Sequence, residues 1–439
     1  MPSPAPGDAP DERGIARTRR QRRAQLRQPV FGVFRVSAVL DPPPSLPSRM
    51  SALEMRASTS LASIFALRML GLFLILPVFA VYARGLPGGE SATMIGLAMG
   101  IYGLTQGMLQ IPVGILSDRI GRKPVMIAGL VLFAAGSFVA AFAHTLVWVI
   151  VGRAIQGSGA ISAAVTAMIA DATRDEHRTK AMAMVGGSIG LTFAGSMVLA
   201  PVLYHLIGMH GIFAMTGILA VLAIGVVRWV VPDVARVVHA ERLPFREVLL
   251  DRQLLRLNLG IFVLHATQMA MFVVVPVLLV EGDGLPVAEH WKIYLPVVVA
   301  SFAVMVPMII AAERHGLMKR IFMFSIALLC LVQVLFSLVS SVAWIVALLF
   351  AFFVAFNVLE ATLPSIISRV VHPSAKGAAL GVYNTTQAIG VSVGGLLGGW
   401  VAKNLGRGAV FETTTVLVVI WLIAAIGLRI PARRAQTKA

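Results

Sequence analysis

The sequence predicts an all-α integral membrane protein, with twelve transmembrane helices in two pseudo-symmetric six-helix bundles. Hydrophobic residues make up 58% of the 439 positions and charged residues only 13%, which is more apolar surface than a soluble domain of this size can bury. Apolar segments of about 20 residues, the thickness of a bilayer core, follow one another from Ser60 to Ile430. The two halves of the chain also share a repeated residue pattern.

Twelve apolar segments of membrane-spanning length can be delimited, and we number them span 1 to span 12. A helix is the natural structure for each, because it satisfies its own backbone hydrogen bonds in lipid. Only Ala143, His144 and Thr145 separate spans 3 and 4. The predicted spans are 60–82, 92–116, 125–143, 146–170, 181–204, 208–231, 256–280, 291–312, 321–340, 343–366, 377–402 and 410–430.

The residues before span 1 differ from the rest, with nine arginines and four acidic residues in the first 49 positions. Residues 1–55 are predicted to be a disordered basic tail, and the alternative is an arm that binds anionic lipid. Met50 and Met55 lie just before span 1, so either could be the true start site. Residues 431–439 form a second short tail.

Basic residues in the short loops predict the orientation of the chain. The loops after even-numbered spans contain sixteen Lys and Arg, whereas the intervening loops contain four. Both termini are therefore predicted to be cytoplasmic, with residues 232–255 as a cytoplasmic linker between bundles 56–231 and 256–430. The net charge of +17 lies in these loops rather than on one soluble surface, so the sequence does not indicate nucleic-acid binding.

Internal repeats support the division into two related halves. Span 1 and its following loop contain Phe73, Pro77, Val78 and Gly85-Leu86-Pro87, and the same residues recur 199 positions later in span 7. Asp118-Arg119-Ile120-Gly121 after span 2 has a weaker counterpart, Glu313-Arg314-His315-Gly316, after span 8.

The junction of spans 2 and 3 reads Gly114-Ile115-Leu116-Ser117-Asp118-Arg119-Ile120-Gly121-Arg122-Lys123, which resembles motif A of the major facilitator superfamily. Its glycines permit a tight turn, and its aspartate could face a helix N-terminus. The resemblance implies that Asp118 docks near the start of span 11 and that Arg122 pairs with Asp171, closing a latch between the halves. A purely topogenic basic loop is the alternative. The predicted latch residues are Gly114, Asp118, Arg119, Gly121, Arg122, Lys123 and Asp171.

From Ser63 to about Arg429 the chain is similar to the YajR-type transporters of the drug:proton antiporter branch, which implies the major facilitator fold and a bacterial inner membrane. Arg153 to Ala160 resembles motif B of proton-coupled members. Span 5 departs from the antiporter motif C, because Ala200-Pro201-Val202-Leu203-Tyr204-His205 lacks its final glycine pair. A soluble domain can follow span 12 in such proteins, and we expect it to be lacking here.

Three ionisable residues inside the spans are candidates for proton coupling, since burying them in a membrane is costly. Glu360 in span 10 is the first, because desolvation favours its neutral form and hydration its charged form. Its alternative is a permanently protonated packing residue bonded to Asn357 or to a backbone carbonyl. Arg153 in span 4 could instead extend to the headgroups, and His265 in span 7 could be purely structural.

Other polar residues within the spans could line a substrate cavity. Arg68 either faces that cavity or anchors the cytoplasmic end of span 1. Gln106, Gln110 and Gln387 are further polar residues, and bonding between helices explains them equally well. The predicted cavity residues are Arg68, Gln156, Gln268, Asn357 and Asn384.

These features favour a proton-coupled exporter of small amphipathic compounds that works by alternating access, as a monomer in the lipid bilayer. Uptake or facilitated transport of a metabolite is an alternative, and a non-transporting sensor or scaffold is a third. No phosphate-binding loop, metal motif or cysteine pair is present, and Cys330 is the sole cysteine. The sequence therefore indicates neither an enzyme nor a cofactor or metal site.

Overall fold

The computed structural model describes residues 49–233, 245–282, 284–339, 341–371 and 375–431. The predicted N-terminal tail up to residue 48, residues 234–244 of the 232–255 linker and the C-terminal tail from residue 432 lie outside these ranges. The prediction that both termini are cytoplasmic remains a prediction. We use this predicted orientation to name the cytoplasmic and periplasmic faces of the molecule.

The N-terminal half is helical, as predicted. Span 1 begins with a capping box, in which Ser51 Oγ accepts from Glu54 N and Glu54 Oε2 accepts from Ser51 N. Glu54 also forms an ion pair with Arg174, 2.9 Å away in the loop between spans 4 and 5. The helices are Ala52–Phe73, Phe79–Ala83, Ala92–Ile120, Arg122–Ala141, Leu146–Ser158, Ser162–Ala172, Asp175–Gly225 and a π-helix, Val226–Val230.

The C-terminal half consists of spans 7 to 12, and each predicted span corresponds to one helix. A short helix, Phe245–Leu250, precedes span 7, and a 3₁₀ turn, Val287–Glu289, precedes span 8. The six long helices are Arg252–Gly282, Trp291–Arg314, Met318–Leu338, Val342–Val370, Lys376–Asn404 and Arg407–Ile426.

Twelve crossings result, although only 9 helices in the described ranges are long and apolar enough to cross a membrane by composition alone. One of the nine, Lys180–Val230, contains both span 5 and span 6 in its 51 residues. Its helical path breaks at Gly208, where φ is 66° and ψ is −179°, a conformation that is essentially restricted to glycine. The helices of spans 1 and 11 are not among the nine, because they are the least hydrophobic of the long helices.

Spans 1 and 4 are broken, whereas the sequence predicted each as one helix. Span 1 is non-helical from Leu74 to Val78, around Pro77, which has no N–H for helical bonding. Its repeat partner Pro276 lies inside the continuous helix of span 7. Span 4 is interrupted between Ser158 and Ser162, where Gly159 closes the first segment. Spans 1 and 7 are therefore more similar in sequence than in local backbone structure.

Spans 2 and 11 bring the two halves into backbone contact on the periplasmic half of the molecule. A Cβ on Gly96 would lie 2.9 Å from Gly399 Cα, and one on Gly100 would lie 3.0 Å from Ser392 Cα. Such an approach is possible only with small residues. In the cytoplasmic half of span 5, by contrast, no described atom lies within 4 Å of a Cβ built on Gly190. The halves are thus closed against each other on the periplasmic side.

Candidate functional site

A polar cluster inside the C-terminal bundle contains Glu360, His265 and Gln387, from spans 10, 7 and 11. Glu360 Oε2 lies 3.8 Å from His265 Nε2, and Glu360 Oε1 accepts from Gln387 Nε2 at 3.5 Å. The His265 side chain is 7% exposed and the Glu360 side chain 33%. The structure therefore brings together two of the three predicted proton-coupling residues.

The hydrogen bonds of His265 determine which ring nitrogen carries a proton. Its Nδ1 lies 3.2 Å from the carbonyl oxygen of Ile261, which can only accept, so Nδ1 is the donor. Nε2 lies 2.7 Å from Gln387 Nε2 and accepts from it in the neutral ring. Glu360 Oε2 is buried and has no hydrogen-bond partner among the described residues. It lies 3.8 Å from His265 Nε2, beyond direct hydrogen-bond distance, and that nitrogen already accepts from Gln387.

Asn357 does not take part in this cluster, although the sequence offered it as a partner for Glu360. Its Nδ2 donates to Ser301 Oγ of span 8 at 3.0 Å. The alternative in which Glu360 bonds to Asn357 is therefore not supported by the side-chain contacts. Asn357 stabilises the packing of spans 8 and 10 instead.

Phenylalanine side chains extend from the cluster to the N-terminal bundle. The ring of Phe356 lies 5.7 Å from that of His265 in an edge-on arrangement. Phe193 of span 5 contacts both Phe356 and Phe353, at 5.8 and 5.9 Å, and also Phe73 of span 1, at 5.2 Å. A movement of the Glu360 cluster can therefore reach the opposite bundle through packed aromatic rings.

A second polar cluster, in the N-terminal bundle, contains Arg68, Arg153 and Tyr102. Both arginines are 1% exposed, which excludes the alternatives in which they extend to the headgroups. The Cζ atoms of Arg153 and Arg68 lie 4.8 and 5.9 Å from the Tyr102 ring centroid. Arg153 donates to Gln156 Oε1 at 3.1 Å, and Arg68 Nη1 donates to Ser162 Oγ. Neither arginine forms an ion pair with a carboxylate of the described residues.

The motif A residues surround Arg122 at the cytoplasmic end of spans 2 to 4. Arg122 lies 2.5 Å from Asp118 and 3.2 Å from Asp171, so the expected contact with Asp171 is present. Gly121 has a φ of 109°, which turns the chain between spans 2 and 3. Lys123 lies 2.7 Å from Asp233, just after span 6. These contacts are all within the N-terminal half.

Of the remaining motif A residues, Gly114 lies close to span 4, since a Cβ on it would be 3.2 Å from Ala163 Cβ. Arg119 is exposed. The predicted docking of Asp118 near the start of span 11 stays untested, because the residues just before that helix and its first side chains lie outside the described part of the chain. The latch function of the whole set remains a prediction.

The weak repeat of motif A after span 8 also forms an ion pair. Glu313 Oε1 lies 2.5 Å from Arg369 Nη2, at the cytoplasmic end of span 10. In the N-terminal half, the junction carries both Asp118 and Arg122, and Arg122 pairs with the acid Asp171 at the end of span 4. The C-terminal half keeps the acid at the junction, Glu313, and has the base Arg369 at the end of span 10.

The periplasmic face carries an ion-pair triad that the sequence did not reveal. Glu281, at the end of span 7, lies 2.5 Å from Arg84 at the end of span 1 and pairs with Arg407 at the start of span 12. The sequence identified both arginines only as loop charges. The triad joins the two halves at the face where spans 2 and 11 are in contact.

The other predicted cavity residues are dispersed. Gln156 Nε2 donates to Ser137 Oγ at 2.7 Å and belongs to the arginine cluster. Gln268 is buried and its Nε2 has no hydrogen-bond partner in the described residues, whereas Asn384 is partly exposed. Tyr102 and Gln387 complete the two clusters. The sequence gave no signal for Tyr102, because an aromatic residue in an apolar span is ordinarily a packing residue.

Twelve crossings in two halves, with ionisable side chains between helices, define a polytopic membrane transporter. The model of the Major Facilitator Superfamily matches residues 61–313 and 297–439. The chain is 45% identical over 389 residues to the inner membrane transport protein YajR of Escherichia coli strain K12, covering 87% of this chain and 85% of that protein. It is 24% identical over 370 residues to the multidrug resistance protein MdtH of Yersinia enterocolitica, covering 82% and 90%.

A solved structure with the same fold is that of a bacterial homologue of the human lysosomal transporter Spinster, in an inward-facing and occupied conformation. It matches with a TM-score of 0.68 at 13% identity, covering 86% of this chain and 97% of that one.

The chain belongs to the major facilitator superfamily. It is a multi-pass transporter of a small-molecule substrate in a lipid bilayer, and not an enzyme. The predicted fold class and the resemblance to YajR-type transporters are confirmed.

Proposed function

We propose that the protein exports small amphipathic compounds in exchange for protons, by alternating access between its two bundles. The observation that supports this best is the contact of Glu360 with His265 inside the membrane domain, 3.8 Å apart. Burying an ionisable pair in that position is energetically costly, so its presence favours a function in the transport cycle. The multidrug resistance relatives favour export over uptake.

The proton site can work through one exchangeable proton. With a proton on Glu360 Oε2, both groups are neutral, and a small movement that displaces Gln387 would let the carboxyl donate to His265 Nε2. When the cytoplasmic or periplasmic route hydrates the site, water can stabilise the carboxylate after the proton leaves. Loading and release thus depend on which side of the membrane hydrates Glu360. His265 is the coupling partner that this geometry favours, since Arg153 contacts Gln156 and Tyr102 instead.

The conformational change requires two alternative closures. On the periplasmic side, the Glu281 triad and the contact of spans 2 and 11 hold the halves together. On the cytoplasmic side, we propose that the Arg122 cluster becomes the latch when that face closes. Protonation of Glu360 would change the packing of Phe356 and Phe193, and so bias the equilibrium between the two closures.

Proton-driven flux in proteoliposomes tests this function directly. The vesicles contain a pH-sensitive dye that reports proton movement, and a pH gradient is imposed on them. A panel of amphipathic dyes of each charge type is then added as test substrates. Glu360→Gln should abolish the proton movement that a transported test substrate triggers, while exchange of that substrate without a gradient persists. Glu90→Gln, an exposed carboxylate between spans 1 and 2, is the control. Full pH-driven flux in Glu360→Gln would remove Glu360 from the mechanism.

The departure from motif C at Ala200-Pro201 favours one alternative, uptake or facilitated transport of a metabolite. The same vesicles distinguish the two, because an exporter moves dye against the proton flux and a symporter moves it with the proton flux. We further propose a bacterial inner-membrane location with both termini cytoplasmic, two bundles at 56–231 and 256–430, and a monomeric state.

A further inference from the structure

The Arg68, Arg153 and Tyr102 cluster has more hydrogen-bond donors than acceptors. Arg68 Nε and Nη2 are buried and have no hydrogen-bond partner among the described residues, and the same holds for the Tyr102 hydroxyl. Only one atom of the Arg68 guanidinium is satisfied, by Ser162. Buried hydrogen-bond donors are normally paired, so three unpaired donors in one cluster require an explanation.

The charges of the cluster are also unbalanced. Two guanidinium groups approach one aromatic ring, and no carboxylate of the described residues pairs with either. The ring of Tyr102, the Gln156 oxygen and the Ala98 carbonyl oxygen, which accepts from Arg153 Nε at 3.5 Å, offset part of the cost, but none of them carries a net negative charge. A buried cation without an anion is strongly unfavourable, because the interior has a low dielectric constant. An anion is therefore the missing partner.

We propose that this cluster binds the oxyanion group, a carboxylate or phosphate, of the transported molecule. The inference rests on the proposed transport function and adds the charge class of its substrate. The two free donors of Arg68 form part of the fork with which arginine recognises two oxygens of one oxyanion. The Tyr102 hydroxyl can donate to the same group, and Arg153 supplies a second positive charge.

The position of the cluster fits a substrate site rather than a structural one. Its residues come from spans 1, 2 and 4, with Arg68 bound to Ser162 just after the break in span 4. Glu360 lies in the other bundle, so the anion and the exchanged proton would occupy separate sites. Export of an anion and entry of a proton each make the interior more positive by one charge. The interior-negative membrane potential would therefore favour both movements.

Equilibrium binding of a matched probe series to the full-length protein in nanodiscs tests the proposal. The probes are 4-phenylbutyrate and 4-phenylbutyl phosphate, with 4-phenylbutanamide and 4-phenylbutylamine as neutral and cationic counterparts. At least one anionic probe should bind more tightly than the amide. Arg68→Gln and Arg153→Gln should each weaken that binding by about 10- to 100-fold, which is the loss of a charge-assisted hydrogen bond.

Matched variants separate binding from folding. Tyr102→Phe removes only the hydroxyl and should weaken anion binding by a smaller factor, and Arg68→Lys keeps the charge but loses the fork. Arg228→Gln changes an exposed arginine and should leave binding unchanged. The relative affinities of the two anionic probes identify carboxylate or phosphate as the preferred group.

Two results would overturn the inference: equal binding of the amide and both anions, or unchanged anion binding in folded Arg68→Gln and Tyr102→Phe. No pH gradient is present in this experiment. Loss of anion binding here is therefore independent of whether Glu360→Gln blocks proton-coupled flux.

Discussion

Replacement of Gly96 by alanine should open the periplasmic side of the transporter. Gly96 of span 2 packs directly on the backbone of span 11, and a methyl group there would lie 2.9 Å from Gly399 Cα and 3.0 Å from Gly395 C. Because the obstructing atoms are backbone, no side-chain rotation can relieve the overlap. Overpacking of this kind costs about 1–3 kcal/mol. The cost applies only where spans 2 and 11 touch, so the conformational equilibrium should shift about 5- to 150-fold.

Spin-label distances can measure this shift. Cysteines introduced at Glu90 and Lys403, both exposed at the periplasmic ends of their helices, would carry the labels after Cys330→Ser removes the native thiol. Gly96→Ala should increase the population of long distances between the labels. Gly190→Ala is the matched control, since no described atom lies within 4 Å of its added Cβ.

An unchanged distance distribution in folded Gly96→Ala would refute the reasoning. It would mean that spans 2 and 11 adjust locally to the methyl group without separating. A change of equal size in Gly190→Ala would also refute it, because that methyl group meets no obstruction.

Substitutions at three ion-pair sites provide further tests. Hydrogen bonds from Arg174 hold the pKa of Glu54 well below its usual value of 4.5, so this carboxylate stabilises the fold above pH 4.5 and loses that effect progressively as the pH falls from 4.5 toward the lowered pKa. Glu54→Gln should therefore lower the free energy of unfolding by about 1 kcal/mol at pH 7, and the difference between the thermal unfolding curves of the two proteins should shrink only below pH 4.5, as the pH approaches the lowered pKa. Arg122→Asp and Asp171→Arg should each impair transport, and the double swap should restore part of it with a coupling energy of about 0.5–3 kcal/mol; additive losses would show that the Arg122–Asp171 ion pair does not contribute to transport. Glu281→Gln leaves two arginines facing each other, so labelling of a cysteine introduced at the buried Ser392, in a Cys330→Ser background, should become faster, and an unchanged rate would show that the triad does not hold that face closed.

Hydropathy was sufficient to predict the crossings, because lipid requires about 20 apolar residues for each helix. It also predicted the separation of spans 3 and 4, where the first helix ends at Ala141 and the next begins at Leu146. The break in span 1 was missed. Pro77 and Pro276 occupy the same repeat position, and only tertiary packing decides that one interrupts its helix and the other does not.

The candidate sites were predicted in part. The cost of burying a charge identified Glu360, His265, Arg68 and Arg153 from the sequence alone. Their grouping into two clusters could not be predicted, since it depends on which faces of distant spans meet. Asn357 illustrates this limit, because it lies one helical turn from Glu360 and yet bonds to Ser301 of span 8.

Spans 5 and 6 are joined at Gly208 without any intervening coil. A hinge of one residue has two rotatable backbone angles and no spare length, so neither helix can slide along its own axis without pulling the other. A displacement of span 5 at the aromatic contacts of Phe193 would therefore be transmitted directly to span 6. The two spans should move together.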